Sequence, residues 1–265
     1  MSFSGAVDGA HRLTVNTASE VAFLANVGTT TPLAGVTIQR ATSVEVLLGF
    51  RLDGTGLGPQ ASGLVIGRGV NRVSFSDLGA PSDPPARSIV GFGGSGILFQ
   101  GGSTGSTIRT FALIGNGRGI TFQPGNYAGT AVQANTIAAS GRIGVFVNAA
   151  RGLSLGGSAA GEGNEITAGA AARAYATGVF AQGNLAGTQV TGNAIALNSG
   201  TGVILSGARG IQIGGGPGNA ITTNGGWGLM ASGLSTGSVV TGNTISGNTL
   251  GQVNVRRARG LRVVG

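Results

Sequence analysis

The sequence lacks several residue types on which common protein chemistries depend. None of its 265 residues is cysteine, which excludes a disulfide framework and a thiolate metal site. It also has no lysine, so all sixteen basic residues are arginine, and the phosphate-binding Walker loop, which needs a lysine, is excluded. One histidine, His11, without cysteine partners assembles no metal-ligand set. We therefore expect neither a metal ion nor a cofactor.

Charge and long apolar runs are also scarce. Only 9% of residues are charged, and a mean hydropathy of +0.29 argues against a disordered chain. The 54 glycines do not follow the every-third-residue spacing of collagen. No run of about 18 apolar residues is present, so we expect no membrane span. The first residues have neither a basic segment nor an apolar segment after it, so the sequence predicts no signal peptide in this chain.

Sixteen arginines against eight carboxylates give a formal net charge of +8. This excess is typical of proteins that attract polyanions such as nucleic acid or acidic polysaccharide. Coding bias in a GC-rich genome would produce the same scattered arginines, and the sequence leaves both explanations open.

What the sequence does contain is a short motif, Asn-x-Ile, that returns at intervals of 24 to 29 residues. A motif repeated at such a period indicates a solenoid, in which each coil buries its apolar face against its neighbours. Asparagines stacked at one corner of successive coils can hydrogen-bond to the residues above and below. We therefore predict a structural asparagine ladder formed by Asn135, Asn164, Asn193, Asn219 and Asn243, and a second one formed by Asn198, Asn224 and Asn248.

A second repeat is a short apolar strand that opens with glycine, as in Gly96–Phe99, Gly119–Phe122 and Gly202–Leu205. The residues one and three positions after the glycine are always apolar, and alternation places them on one face of the strand. Helical crossovers are not available because glycine interrupts nearly every stretch of sufficient length. The sequence thus predicts an all-β fold with few or no helices, a right-handed parallel β-helix of about ten to eleven coils.

We expect residues 1–265 to form one solenoid, with irregular N-terminal coils over 1–95 and regular coils over 96–265. A separate N-terminal subdomain is the alternative. A longer period also appears, because Ala-Arg-Gly precedes a strand at Arg151, Arg209 and Arg259 but not in the coils between. Two coil types are therefore expected to alternate, with these arginines on one edge.

Carboxylates are the residues that decide whether such a fold is an enzyme, since glycoside hydrolysis needs paired acids and calcium sites need acidic oxygens. Glu45 and Asp53 are close enough in sequence to share a coil, with Arg51 between them. These three residues are the weak catalytic candidates, and exposed turn positions are the simpler interpretation. The densest basic run provides the candidate polyanion-binding residues Arg256, Arg257, Arg259 and Arg262. No aromatic residues are interleaved there, so nucleic acid is not the expected partner.

From about Gly96 on, the chain resembles the parallel β-helix repeats of the pectate-lyase-like superfamily. Its opening, over Gly5–Ala10, Leu13–Thr17 and Val27–Leu33, resembles repeat units of large bacterial filamentous, adhesin-like surface proteins. The superfamily includes lyases, hydrolases, epimerases and inert stalks, and its catalytic motifs have no match here.

These resemblances imply a non-catalytic structural or adhesin-like module, extracellular or at the cell surface, that contacts a polysaccharide or another polyanion. A polysaccharide lyase, hydrolase or epimerase is the alternative. The last residues are strand-like and uncapped, so we also expect either end-to-end self-association or a continuation in a longer protein.

Overall fold

The computed structural model describes residues 1–23, 27–28, 31–46, 50–58, 60–75, 87–138, 140–167 and 176–264. Within these ranges there is no helix, and so none that could cross a membrane. Every pairing between the described strands is parallel, and the chain winds into a β-solenoid of about ten turns. The fold class predicted from the two repeats is therefore confirmed.

The strands in chain order are β1 (Ser2–Phe3), β2 (Arg12–Asn16), β3 (Val21–Phe23), β4 (Gly35–Arg40), β5 (Val44–Val46), β6 (Phe50–Asp53), β7 (Leu64–Ile66), β8 (Val73–Phe75), β9 (Arg87–Val90), β10 (Ser95–Phe99), β11 (Thr107–Arg109), β12 (Ala112–Ile114), β13 (Arg118–Phe122), β14 (Gly125–Gln133), β15 (Thr136–Ala138), β16 (Ile143–Asn148), β17 (Ala150–Gly156), β18 (Glu165–Thr167), β19 (Thr177–Asn184), β20 (Gln189–Thr191), β21 (Ala194–Ala196), β22 (Val203–Arg209), β23 (Gln212–Gly214), β24 (Ala220–Thr222), β25 (Trp227–Thr241), β26 (Thr244–Ser246) and β27 (Gly251–Val264).

Each regular turn contributes one strand to each of three faces. Face 1 contains β2, β4, β7, β10, β13, β16, β19, β22 and the first halves of β25 and β27. Face 2 contains β1, β3, β5, β8, β11, β14, β17, β20, β23 and the second halves of β25 and β27. Face 3 contains β6, β9, β12, β15, β18, β21, β24 and β26. Faces 1 and 2 join because β25 and β27 run through the corner between them.

The core consists of columns of aliphatic and aromatic side chains that run along the axis of the solenoid. The two apolar positions predicted from the glycine-opened strands form two such columns on face 1, and both are fully buried. Their members are Ile97, Ile120, Val145, Val179, Val203 and Leu229 in one, and Phe99, Phe122, Val147, Ala181, Leu205 and Ala231 in the other. Burying one side chain of this size contributes about 1.5–3 kcal/mol, so the columns are the main source of cohesion.

The two sequence repeats meet in space at the corner between faces 3 and 1. Gly202 opens a face 1 strand, and Ile221 is the isoleucine of an Asn-x-Ile motif. A methyl group added to Gly202 would lie 2.6 Å from Cγ2 of Ile221. Gly178 stands in the same relation to Ile195, also at 2.6 Å. Glycine therefore recurs at this position because the isoleucine column of face 3 occupies the space of a side chain.

The first asparagine ladder lies at the corner between faces 2 and 3. In each step the side-chain Nδ2 donates to Oδ1 of the next asparagine at 2.8–2.9 Å, from Asn135 through to Asn243. The same Oδ1 also accepts the backbone N–H of the asparagine before it. The second ladder, of Asn198, Asn224 and Asn248, repeats this pattern at the corner between faces 3 and 1.

At both of these corners, the turn before the first asparagine has a phenylalanine in the equivalent position. The sequence did not indicate this. The N–H of Phe111 donates to Oδ1 of Asn135, and the N–H of Phe92 donates to Oδ1 of Asn116. Both phenylalanine rings are buried in the core.

Alternate turns differ at the corner between faces 1 and 2, as the Ala-Arg-Gly spacing predicted. The hydroxyl of Thr188 donates to the carbonyl of Ala150 at 2.6 Å and accepts the N–H of Leu153 at 3.3 Å. Two turns later Ser238 makes the same two bonds, to Ala208 and Ile211. The Ala-Arg-Gly turns at Arg151 and Arg209 are thus each closed by a hydroxyl group from the turn that follows.

The buried residues of the N-terminal third belong to the same hydrophobic cluster as those of the later turns. Short apolar runs in the sequence also predict strands near residues 13–15, 35–38, 44–48, 63–66 and 72–75, and these are present as β2, β4, β5, β7 and β8. Strands β3, β6 and β9 were not predicted. The prolines of Pro81–Pro85 predict a loop between coils, and the one long interval between glycine-opened strands predicts a bulge at Ala168–Tyr175. Both lie outside the described residues.

Candidate functional site

The outward surface of face 1 carries an unexpected stripe of large side chains. Strand alternation turns the residue between the two buried columns outward, and in most turns this residue is also apolar. We call this column the outer stripe: Leu98, Thr121, Phe146, Phe180, Ile204 and Met230, which pair in register from β10 to β25. Apart from buried Thr121, these side chains are partly exposed.

Aromatic rings occupy the centre of the outer stripe, and amides flank it. The rings of Phe146 and Phe180 have centroids 5.6 Å apart and are tilted by 60°. On the side toward face 2, Asn148 and Gln182 pair in register, and Nε2 of Gln182 donates to Oδ1 of Asn148 at 3.1 Å. Apolar rings beside polar amides form a surface that can bind a ligand with both apolar and hydroxyl-bearing sides.

A groove of about 230 Å³ lies at the N-terminal end of the stripe. Arg118 lines this groove, and its guanidinium carbon is 4.8 Å from the centroid of the Phe146 ring. Beneath it, the hydroxyls of Ser95 and Thr121 are 2.8 Å apart. The remaining lining residues are Gln60, Ser62, Gly93, Gly94, Leu98, Gly117, Gln123 and Arg142.

The electrostatics of this groove favour an anion. Burial, and secondarily the positive charge of Arg142, lower the pKa of Arg118 below its usual value. The Nε of Arg118 is buried and has no hydrogen-bond partner among the described residues. The guanidinium groups of Arg118 and Arg142 repel each other, and an anionic group bound between them would offset that repulsion.

Carboxylates are missing from this surface. The described strands of face 1 contain no aspartate or glutamate. Glu45 lies exposed on β5 of face 2, whereas Asp53 lies exposed on β6 of face 3, where its Oδ1 accepts the N–H of Thr55 at 2.8 Å. Arg51 is on β6 beside Asp53, and its side chain lies outside the described part. The two candidate carboxylates are therefore on different faces, and no three His, Asp or Glu residues of the described chain are grouped as metal ligands.

The four candidate polyanion-binding arginines are all exposed on β27. Arg256 pairs with Ser232 at the end of face 1, Arg259 with Leu234 at the corner, and Arg262 with Val239 on face 2. Arg257 occupies the corner with a positive φ of 54°. They form a basic corner on the last turn, not a pocket.

Tyr127 faces the core, where it is fully buried. Its hydroxyl donates to the carbonyl of Gln123 at 2.8 Å, and its ring packs edge-on against Phe99 and Phe122. It is therefore unavailable for stacking on a sugar. Trp227, by contrast, is partly exposed at the first position of β25 on face 1.

No protein-family model and no curated protein sequence matches the chain. Among solved structures it is similar to an alginate lyase from Paenibacillus sp. str. FPU-7, with 13% identity over 92% of this chain and 99% of that one, and a TM-score of 0.37. The A-module of the Azotobacter vinelandii mannuronan C-5 epimerase AlgE6 matches with 13% identity over 97% and 90% of the two chains, at a TM-score of 0.23. The Dettilon tailspike protein matches with 12% identity over 94% of this chain and 60% of that one, at 0.32. All three are distant, and the fold and site described above rest on this chain's own strand pairing and side chains.

Sequence reasoning missed the outer stripe although its signal was present. Most glycine-opened strands have apolar residues at three consecutive positions, not only at the two that face inward; the strand with Thr121 is the exception. A strand with one solvated face normally alternates apolar and polar residues, so the middle Phe146, Phe180, Ile204 and Met230 are the departure that marks the surface.

Proposed function

We propose that the chain is a non-catalytic β-helical module that binds an extended acidic glycan along the outer stripe of face 1. The observation that carries this proposal is the combination, on one face, of partly exposed aromatic rings, amide side chains and two neighbouring arginines, the partly buried Arg118 and the exposed Arg142, with no carboxylate on the described strands of that face. Such a surface offers apolar contact for the ring faces of sugars, hydrogen-bond partners for their hydroxyls and guanidinium groups for their acidic substituents.

The geometry of the stripe favours an extended ligand. Its members lie one per turn, and adjacent turns are about 4.8 Å apart, so the column from Leu98 to Met230 is about 24 Å long. A linear chain lying parallel to the solenoid axis would contact every turn of the column. The rigid stack of turns holds these contacts in place before binding, which lowers the entropic cost of association.

Direct binding measurements test the proposal. Calorimetric titration with acidic and neutral oligosaccharides should show preference for the acidic ones. Arg118→Gln should weaken binding by about 2 kcal/mol, roughly 30-fold in Kd, because a hydrogen-bonded charge pair is lost. Arg109→Gln removes one exposed arginine at the corner between faces 2 and 3 and is the matched control. Equal losses from both variants, or equal binding of neutral and acidic glycans, would refute the proposed site.

The alternative function is a polysaccharide lyase, hydrolase or epimerase. Hydrolysis needs two carboxylates flanking the bond, and the face we propose as the binding surface has none among its described strands. Incubation with acidic polysaccharides should therefore produce neither new reducing ends nor unsaturated sugar ends. Turnover that is abolished by Arg118→Gln would establish the enzyme instead.

A glycan-binding rod of this kind fits an adhesin-like role at a bacterial surface or in a secreted protein, which we include in the proposal. End-to-end association belongs to it as well. β27 pairs with β25 on one side only, and Val253, Val255 and Val263, which continue the buried columns, are 38–47% exposed. Light scattering should show a mass that rises with concentration, and Val255→Lys should restore the monomer. A monomer at every concentration would contradict this part.

A further inference from the structure

The corner where face 1 turns into face 2 collects half of the arginines of the chain. We call it the arginine edge. All of its members are exposed: Arg40, Arg68, Arg72, Arg151, Arg209, Arg256, Arg257 and Arg259. Among the described residues, one acidic side chain lies at this corner, that of Glu20 in the first full turn. The excess positive charge of the protein is therefore concentrated on one side of the rod.

Part of this edge is a straight row. Arg151, Arg209 and Arg259 pair with Asn126, Asn184 and Leu234 of the preceding turns, so an arginine returns in every second turn. With about 4.8 Å between turns, successive arginines lie about 10 Å apart. The residue after each is a glycine with φ of 73–76°, which makes the corner tight. The arginines consequently project from a narrow convex ridge.

The shape of the ridge decides what it can contact. A flat surface touches a straight convex ridge along its full length, whereas a flexible chain must be ordered along it at an entropic cost for each unit. Duplex DNA offers a poor match, because its phosphates wind away from a straight line with a repeat of about 34 Å. The ridge also has no exposed aromatic residue on which single-stranded bases could stack; Tyr127, next to it, is buried.

An exposed leucine lies within the row. Leu234 pairs with Arg259 at the corner position and is 51% exposed. A lone apolar side chain among arginines contributes nothing to a polyanion contact in water. At a bilayer it can enter the boundary between headgroups and acyl chains while the guanidinium groups bind phosphates.

We propose that the arginine edge docks the rod lengthwise on an anionic lipid bilayer, with its guanidinium groups bound to lipid phosphates. This surface is separate from the outer stripe, so a glycan on face 1 can be held while the edge is occupied. The attraction is electrostatic and falls off within a Debye length, about 8 Å at physiological salt, so only residues at the edge contribute fully.

Vesicle co-sedimentation tests the proposal with the whole chain. Vesicles of phosphatidylcholine with 30% phosphatidylglycerol should bind the protein, and pure phosphatidylcholine vesicles should not, and 0.5 M NaCl should abolish binding. The double variant Arg151→Gln/Arg209→Gln should lower the partition coefficient roughly 30-fold, since each arginine at a surface contributes about a 5-fold factor. The control Arg12→Gln/Arg109→Gln removes the same charge from other corners and should leave binding nearly unchanged.

Leu234→Ser separates lipid from other polyanions. It should weaken vesicle binding severalfold and leave heparin retention unaltered, because only the bilayer offers an apolar phase. Equal losses from the two arginine double variants would show that net charge, not the edge, is responsible. Failure of the wild-type chain to bind the anionic vesicles, or retention on DNA or heparin alone, would overturn the proposal. The Arg118→Gln variant should keep vesicle binding, so failure here is distinguishable from failure of the glycan site.

Discussion

Replacing one asparagine in the middle of the first ladder should cost much more stability than replacing the last one. Oδ1 of Asn193 accepts the backbone N–H of Asn164 at 3.0 Å and its Nδ2 at 2.8 Å. Asn193→Ala leaves both donors without their acceptor in a site that is 1% exposed. At about 2 kcal/mol for each buried group left unsatisfied, the free energy of unfolding should fall by about 4 kcal/mol.

Asn243→Ala is the matched control because Asn243 accepts the same two bonds from Asn219, at 3.0 and 2.8 Å, in a partly exposed position. Water can replace the lost oxygen there, so we expect a loss of about 1 kcal/mol. Urea unfolding followed by circular dichroism measures both variants, with the m-value compared to detect a change in cooperativity. Equal losses at the two positions, or a loss below 1 kcal/mol for Asn193→Ala, would refute burial of the ladder as the source of its strength.

Two further predictions concern the core. Gly202→Ala should destabilise the fold by about 1–3 kcal/mol, because the added methyl would lie 2.6 Å from Ile221 and 2.7 Å from the carbonyl oxygen of Gly228. Gly141→Ala, whose nearest neighbour would be 3.7 Å away, should have little effect in the same urea titration; similar losses would contradict the steric argument. Burial raises the pKa of Tyr127, so the unfolded chain releases this proton more readily and stability should decline as the pH rises above about 10, the ordinary tyrosine value. Melting temperatures measured from pH 8 to 11.5 should show this decline in the wild type and a smaller one in Tyr127→Phe; identical slopes would refute it.

The solenoid could be predicted from the sequence because its constraints are local and repeated. Asparagine at one corner and glycine at the next are each required by contacts with adjacent turns, so they return with every turn. The same reasoning was weaker over residues 1–95, because β3, β6 and β9 contain neither the Asn-x-Ile motif nor the glycine-opened strand motif. A corner position there is filled in another way, by the ring of Phe92, whose inward placement only the packing reveals.

The candidate site was less accessible to prediction. The pairing of Glu45 with Asp53 was suggested by closeness in sequence, but eight residues are enough to carry the chain round a corner onto another face. Arg118 had no motif to mark it. Its significance comes from the ring of Phe146 and the charge of Arg142, both contributed by the next turn of the chain. Contacts between turns at irregular positions leave no periodic trace in a sequence.

The hydroxyl groups of Thr188 and Ser238 imply a natural unit of length for this protein. Each closes the preceding Ala-Arg-Gly turn, so the smallest segment that can be copied and stacked without a mismatch is a pair of turns, about 50 residues. Removing one turn would place two turns of the same kind in contact and leave backbone groups at the seam without a hydroxyl. Growth or shortening of such a rod in evolution, and its extension by design, should therefore proceed in doublets.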